Sequence, residues 1–372
     1  MVGLGSNDSL RGIFSTIFQE HFSLTTTQLG LIVTASYIGN LVFLLVGGNL
    51  STRFSKKRVL QVLILIWMAA LALFAFTSNY TVLLIGMALA LGSSTLLNTT
   101  MNLITPLLFA TAPGFFVNFL FFTQEIGTSG SQYILGSHAD GFAFWQHTNL
   151  VLLILGAVAF VLLLFCNVPE EAAAPADAPA QKGGYDWRII VPYVLVFGFY
   201  FIAEHGVMNW MVAYGVDGLG LPQASAAKYL SVFFGGMMIG RLCLSPLVDK
   251  LGALKSLAAF GGVSCVLYLI GSLGGAVTMP VWAISGLSFS ILYPTLVMSI
   301  RLYFPAQQVS GAAGTILSIA SLADILFNVG FGKLVDMTGY AVSIRVLPLS
   351  ALAFFIVFIL FTKFCKPTQK LK

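Results

Sequence analysis

The sequence predicts an all-α membrane protein made of two six-helix bundles, with about twelve transmembrane helices and a shortened first one. Three observations predict it: the scarcity of charge, the succession of apolar segments, and a polar break near the middle. The 372 residues are 58% hydrophobic and only 8% charged. A soluble domain carries roughly a quarter of its residues as Asp, Glu, Lys or Arg. So few charges cannot coat a water-facing globule of this size, whereas hydrocarbon requires no such coat. A helix needs about 20 mostly apolar residues to cross that hydrocarbon. Segments of this kind are expected at 1–19, 28–50, 59–77, 82–107, 112–137, 150–166, 188–212, 225–247, 256–277, 279–300, 309–333 and 341–362.

The first segment is the weak one, interrupted by Asn7, Asp8 and Arg11. A fuller helix with its start upstream of Met1 is the expected reading. Residues 167–187 (NVPEEAAAPADAPAQKGGYDW) are rich in Ala, Pro and acid and read as a flexible linker. They divide an N-terminal bundle over 1–166 from a C-terminal bundle with a short basic tail over 188–372.

Charge placement gives the topology. With the linker inside, the same-side loops and helix flanks hold Arg53, Lys56, Lys57, Arg58, Lys182, Arg188, Arg241, Lys250, Lys255 and Arg301, and the tail adds Lys363, Lys366, Lys370 and Lys372. Those are 14 of the 18 basic residues, while 20–27, 78–81 and 138–149 contain none. The positive-inside rule therefore puts the linker and C-terminus in the cytoplasm. The net charge of +5 follows this alternation and does not mark a nucleic-acid surface. Cys166, Cys243, Cys265 and Cys365 lack metal-ligand spacing and read as small apolar residues. No metal and no cofactor is expected. Nor is an enzyme, since no nucleophile–base set or phosphate-cradling loop occurs and Gly235-Gly236 falls inside an apolar segment.

Two stretches occupy matching places between the second and third segments of each half. The first runs Gly48-Asn-Leu-Ser-Thr52-Arg53-Phe-Ser55-Lys56-Lys57-Arg58, the second Ser245-Pro-Leu-Val-Asp249-Lys250-Leu-Gly252-Ala-Leu-Lys255. A further pair follows the fifth segment of each half, Gly136-Ser-His-Ala-Asp140 and Gly332-Lys-Leu-Val-Asp336. Repeats at corresponding places are the trace of a duplicated transporter half.

On these residues the chain resembles the major facilitator superfamily, whose 2–3 loop reads G-x-L-x-D-R-x-G-R-K. The likeness covers nearly the whole length apart from the shortened first helix. It implies a conformational loop built on Gly48, Arg53, Lys56 and Arg58 in the first copy, and on Asp249, Lys250 and Gly252 in the second. Thr52 stands where the family has an acid, so the family's charge-relay lock does not transfer intact. The nearest group is the fucose/galactose–proton symporters. The resemblance rests on Asn98-x-x-x-Asn102, Gln124, Gly240-Arg241 and Tyr293-Pro294-Thr295. Asn98 falls where the proton-coupled fucose carriers have Glu, which removes that proton site. In the superfamily, segments 1, 4, 5, 7, 10 and 11 line the central cavity.

An ionisable group at mid-bilayer costs roughly 3 kcal/mol on insertion scales, so it tends to be kept for a function. The acids Asp8, Glu125, Glu204 and Asp324 all sit on segments that the resemblance places at the cavity. They are the proton-coupling candidates, with Glu125 or Glu204 as the carrier and Asp324 next. Burial favours a neutral carboxyl and hydration an ionised one, which is the alternation a proton-coupled carrier needs.

Residues three, four or seven apart share a helix face. Thr95, Asn98 and Asn102 form one polar stripe, Glu125, Ser129 and Gln132 another, and Ser321, Asp324 and Asn328 a third; His205 and Asn209 are four apart. The substrate-binding candidates are Asn98, Asn102, Gln124, Gln132, His205, Asn209, Trp210 and Asn328. Plainer roles stand beside these. Thr95, Ser129 and Ser321 read as interhelical glue, Asp8 with Arg11 as an intrahelical ion pair, and Gly127 and Gly130 as packing contacts. Trp210 and Tyr200 serve as sugar platforms or as interface filling, and Lys333 and Arg345 snorkel.

The expected function is uptake of a small polar solute, a sugar among the candidates, by alternating access and proton symport in a monomer of the cell inner membrane. Two rivals stay open: a proton-coupled exporter of drugs or hydrophobic metabolites, and a non-transporting sensor or defective carrier.

Overall fold

The computed structural model describes residues 1–109, 113–168 and 186–367. The linker expected at 167–187 therefore lies almost wholly outside the described residues, as do Lys182, Lys370 and Lys372. The described chain is helical throughout, and its contacts group into two compact units, Met1–Lys182 and Gly183–Lys372.

The first unit holds α1 (Val2–Ile13), α2 (Ser15–Phe22), α3 (Thr26–Arg53), α4 (Lys56–Phe76), α5 (Tyr80–Leu108), α6 (Pro113–Ile134) and α7 (Phe142–Phe165). Here α3 packs along α5, α1 along α6, and α4 against both α5 and α7. The second unit holds α8 (Trp187–Ala213), α9 (Gln223–Leu251), α10 (Ala253–Leu273), α11 (Met279–Ile284), α12 (Gly286–Phe289), α13 (Leu292–Ser299), α14 (Ala306–Thr338), α15 (Tyr340–Ser343) and α16 (Val346–Phe364). Helix α8 packs on α14 and α16, and α9 on α11 and α12.

Ten helical stretches of the described chain are long and apolar enough to cross a membrane. Large apolar side chains such as Val62, Ile85, Val158, Ile239, Val266, Leu326 and Leu360 lie exposed along them. Water would penalise such faces and hydrocarbon would not.

The structure corrects several boundaries. The first segment is two helices parted at Phe14 (φ −96°, ψ 9°). The sixth begins at Phe142, not at 150, so the loop expected at 138–149 ends at Gly141. Gln146, His147, Thr148 and Asn149 in the second turn cut this start off from the apolar run, while Trp145 holds it by packing its ring edge-on to Phe14 and Phe18, at 5.3 and 4.8 Å. The tenth and twelfth segments are broken. Pro294 and Pro348 are each the third residue of a restarted helix, α13 and α16. A proline ring clashes with the carbonyl four residues back, and its nitrogen donates no bond there.

The repeated loops also differ from the expected register. In the second copy α9 runs on to Leu251 and a single residue, Gly252, separates it from α10. Asp249 and Lys250 thus belong to the last turn of α9, as Gly48 and Arg53 belong to the end of α3. Lys56 is buried and Arg58 exposed at the start of α4, and Lys57 Nζ donates to the Leu164 carbonyl at 3.0 Å in the last turn of α7. A cation there complements the negative end of the helix dipole. The second pair of repeats is not structurally matched: Gly136 to Asp140 follow the end of α6, whereas Gly332 to Asp336 lie within α14.

Arg241, counted as a helix flank, sits ten residues before the end of α9. At 1.5 Å per residue that is roughly 15 Å inside the helix. It is half-buried there.

Candidate functional site

Close helix approach sets up the polar groups of the first unit. A side-chain carbon on Gly127 would strike the Val2 carbonyl oxygen, and one on Gly5 the Gln124 carbonyl oxygen. Small residues allow such contact between membrane helices, where no hydrophobic effect draws them together. Thr128 Oγ1 and Ser6 Oγ cross the same contact, donating to the Gly5 and Gly127 carbonyls at 3.3 and 3.4 Å. Gly130 takes no part: nothing lies within 4 Å of the side-chain position it lacks.

On α5, Asn102 Nδ2 donates to Asn98 Oδ1 at 2.8 Å, and Asn98 Nδ2 donates to Gln124 Oε1 on α6 at 2.6 Å. The three amides form a one-way chain. Its acceptor end is Asn102 Oδ1, buried and without a hydrogen-bond partner among the described residues. Its donor end is the Gln124 amide nitrogen. Asp8 on α1 receives Ser94 Oγ from α5 at 3.2 and 3.3 Å, together with Asn7 Nδ2 at 3.4 Å. Arg11 lies over Tyr37, 5.5 Å from the ring centroid, in a cation–π contact, and also acts electrostatically on Asp8 as the spacing suggested. Glu125 is half-buried beside Gln124. Gln132 is fully buried, and neither of its amide atoms has a partner among the described residues.

In the second unit the candidates on α8 and α14 converge. Trp210 Nε1 donates to Asn328 Oδ1 at 2.9 Å. Asn328 Nδ2 reaches the Asp324 backbone oxygen at 2.8 Å and Oδ1 at 3.3 Å. Asp324 Oδ2 meets His205 Nδ1 at 2.6 Å. Asn209, one turn beyond His205, is buried. Trp210 is fully buried against Phe331, 4.8 Å between ring centroids, and fills a helix interface.

Glu204 precedes His205 but faces elsewhere, because successive helical residues point about 100° apart. It is buried where it acts electrostatically on Tyr200, Tyr268 and Tyr293, and Arg241 acts on Tyr200 and Tyr293. Tyr200 lies in a ring stack with Phe289 at 5.2 Å. Ser321 donates only to Leu317 of its own helix at 2.8 Å, which is not an interhelical bond.

Sequence reasoning missed three of these groups. Ser94 was within reach, being four residues before Asn98, where the stripe was instead continued through Thr95 at a spacing of three. Tyr268 and the intramembrane place of Arg241 had no such signal, since both depend on which helices neighbour α8.

Comparison with known proteins agrees with this fold. The L-fucose-proton symporter of Escherichia coli (strain K12) is 24% identical, over 78% of this chain and 75% of that protein. A glucose/galactose transporter of Brucella abortus biovar 1 (strain 9-941) is 27% identical, over 86% of this chain and 81% of that one. A solved inward-open structure of the xylose transporter from E. coli superposes with a TM-score of 0.79 at 15% identity, over 99% of this chain and 94% of that one. The family model of the Major Facilitator Superfamily matches residues 2–322. With two helical units, membrane-crossing helices and that match, the chain belongs to the Major Facilitator Superfamily of membrane transporters.

Proposed function

We propose that this transporter takes up a sugar or similar polyol by symport with protons, acting as a monomer in the bilayer with its linker and C-terminus in the cytoplasm. The observation that carries the solute class is the amide chain Asn102–Asn98–Gln124. A chain with a spare acceptor at one end and spare donors at the other complements hydroxyl groups, each both donor and acceptor. Buried polar groups of this kind reject ligands that leave them unpaired, which disfavours an apolar drug. The relatives whose names specify L-fucose, glucose and galactose agree with it. Gln132, with both amide atoms unpaired, is a second candidate contact in the same unit. The acids Asp8, Glu125, Glu204 and Asp324 are the candidates for coupling, because membrane helices rarely keep a carboxyl without use for it.

The test is reconstitution into proteoliposomes with an inward-directed proton gradient and labelled L-fucose, D-galactose, D-glucose and D-xylose. Accumulation of at least one above its equilibrium level, collapsed by a protonophore, is the expected result. Failure with all four, alongside gradient-driven movement of ethidium, would replace this reading with that of an exporter.

A further inference from the structure

We propose that His205 carries the coupling proton on Nε2, while Asp324 stays ionised as its fixed counter-charge. This rests on the proton-coupled reading above and departs from it at one point, placing the proton on the histidine bonded to Asp324 and not on the acid itself. The argument turns on the direction of a hydrogen-bond string.

An indole N–H can only donate. Trp210 Nε1 lies 2.9 Å from Asn328 Oδ1, which fixes the orientation of the Asn328 amide. Its Nδ2 must then face Asp324, and it donates to Oδ1 at 3.3 Å while also holding the backbone oxygen at 2.8 Å. Asp324 Oδ1 is therefore an acceptor. On the other oxygen, one proton lies between Oδ2 and His205 Nδ1 across 2.6 Å. If it sits on Nδ1, the carboxylate accepts from both sides. Hydrogen bonds to an ionised acceptor are the stronger kind.

Exposure points the same way. The Asp324 side chain is 3% exposed and that of His205 25%. The buried member keeps its partners, and the ring is the member that can meet water. Loading adds a proton to the Nε2 lone pair and leaves Nδ1–H···Oδ2 intact. The dyad then passes from a net charge of −1 to zero, and release reverses the step. A pair that is neutral when loaded is the form least penalised when the site closes to water. The Phe201 ring lies parallel to His205, 5.3 Å away with 4° between planes, so an imidazolium would face an aromatic surface.

The elements packed against the dyad carry the following ionisable groups. On α8, Glu204 acts electrostatically on Tyr200 and Tyr293, on which Arg241 of α9 also acts, and the turn following α8 carries Tyr214 and Asp217. Helix α16 brings no ionisable residue between Val346 and Thr362. On α14 the next ionisable residues are Lys333, exposed, and Asp336; α15 carries Tyr340, and Arg301 on the turn packed against α14 is exposed. The hydrogen bonds of the Asp324 carboxylate go to His205 and Asn328.

The chain has four histidines, which makes their ring nitrogens separable by nuclear magnetic resonance. The experiment uses full-length protein labelled with 15N-histidine in phosphatidylethanolamine/phosphatidylglycerol nanodiscs, with His205→Gln assigning the signal. The expected result is a neutral ring protonated on Nδ1 at about pH 8 and an imidazolium at about pH 5, within the range where histidine normally titrates. In Asp324→Ala the preference for Nδ1–H disappears. A ring carrying its proton on Nε2 at the higher pH, with Nδ1 bare, would place the shared proton on Asp324 and overturn the proposal. So would a ring that does not titrate between these values. The wild-type spectrum decides both points, and if His205→Gln misfolds, His21→Gln, His138→Gln and His147→Gln assign the signal by elimination. If none of the four sugars is accumulated but the spectrum is as expected, the uptake reading fails and the dyad stands.

Discussion

Ser55 and Gly252 stand at matching places in the two halves, yet Ser55 has φ −59° and Gly252 has φ +81°. The first copy turns with ordinary backbone, and Ser55 Oγ accepts from the Arg58 N–H at 3.4 Å as the cap of α4. The second turns in one residue through a conformation that only glycine adopts freely. The departure from the family's glycine at 55 is thus a local change of turn.

From this follows an asymmetry in stability. Gly252→Ala should cost about 1–3 kcal/mol, as expected for a side chain forced into that region. Ser55→Gly should cost only roughly 0.3 kcal/mol, because glycine is a tolerable cap. Thermal unfolding midpoints in detergent check both, and equal losses would refute the assignment of the turns.

The two glycines of α6 separate in the same way. Gly127→Ala should destabilise by about 1–3 kcal/mol, through overpacking against the Val2 carbonyl on α1. Gly130→Ala, with open space around it, should stay within about 0.5 kcal/mol of the parent. The same unfolding measurement ranks them.

Transport kinetics test the amide chain. Asn98→Ala leaves Gln124 Oε1 and the Asn102 amide without their partner, and should raise KM for the accumulated sugar about tenfold, equivalent to ~1.4 kcal/mol. Ser321→Ala, which removes only a bond within its own helix, should leave KM within about twofold. Equal effects would argue against a solute role for the chain.

Trp210→Phe retains the ring that packs on Phe331 and removes one N–H. It should cost about 1–3 kcal/mol, because Asn328 Oδ1 is left buried and unpaired. It should also weaken the Nδ1–H preference of His205, since the Asn328 amide can then reverse. The unfolding midpoint and the histidine spectrum read the two effects separately.

How much was legible beforehand differs between levels. That one apolar membrane helix follows another could be read because hydrocarbon thickness imposes a length that apolar runs either meet or do not, but the breaks in the first, tenth and twelfth segments could not. The start of α7 could not, since polar residues 146–149 interrupt the apolar run after a first turn held by Trp145 packing on Phe14 and Phe18, over a hundred residues earlier in the chain. Among site residues, Asn98 with Asn102 and Asp324 with Asn328 were found because helical spacing puts them on one face. Their partners across the contact, Ser94 for Asp8 and His205 for Asp324, depend on how α1 and α8 are rotated against their neighbours.

By itself the sequence determined that this is a bundle of membrane helices in two halves, with costly carboxyls on particular spans. Composition and period suffice for that, because the bilayer acts on each helix alone. Only the tertiary structure decided that Glu204 and His205, adjacent in sequence, serve different surroundings, and that Asp324 is paired with a histidine. Those outcomes depend on helix rotation, which is set by packing between helices far apart in the chain and leaves no periodic trace in either one.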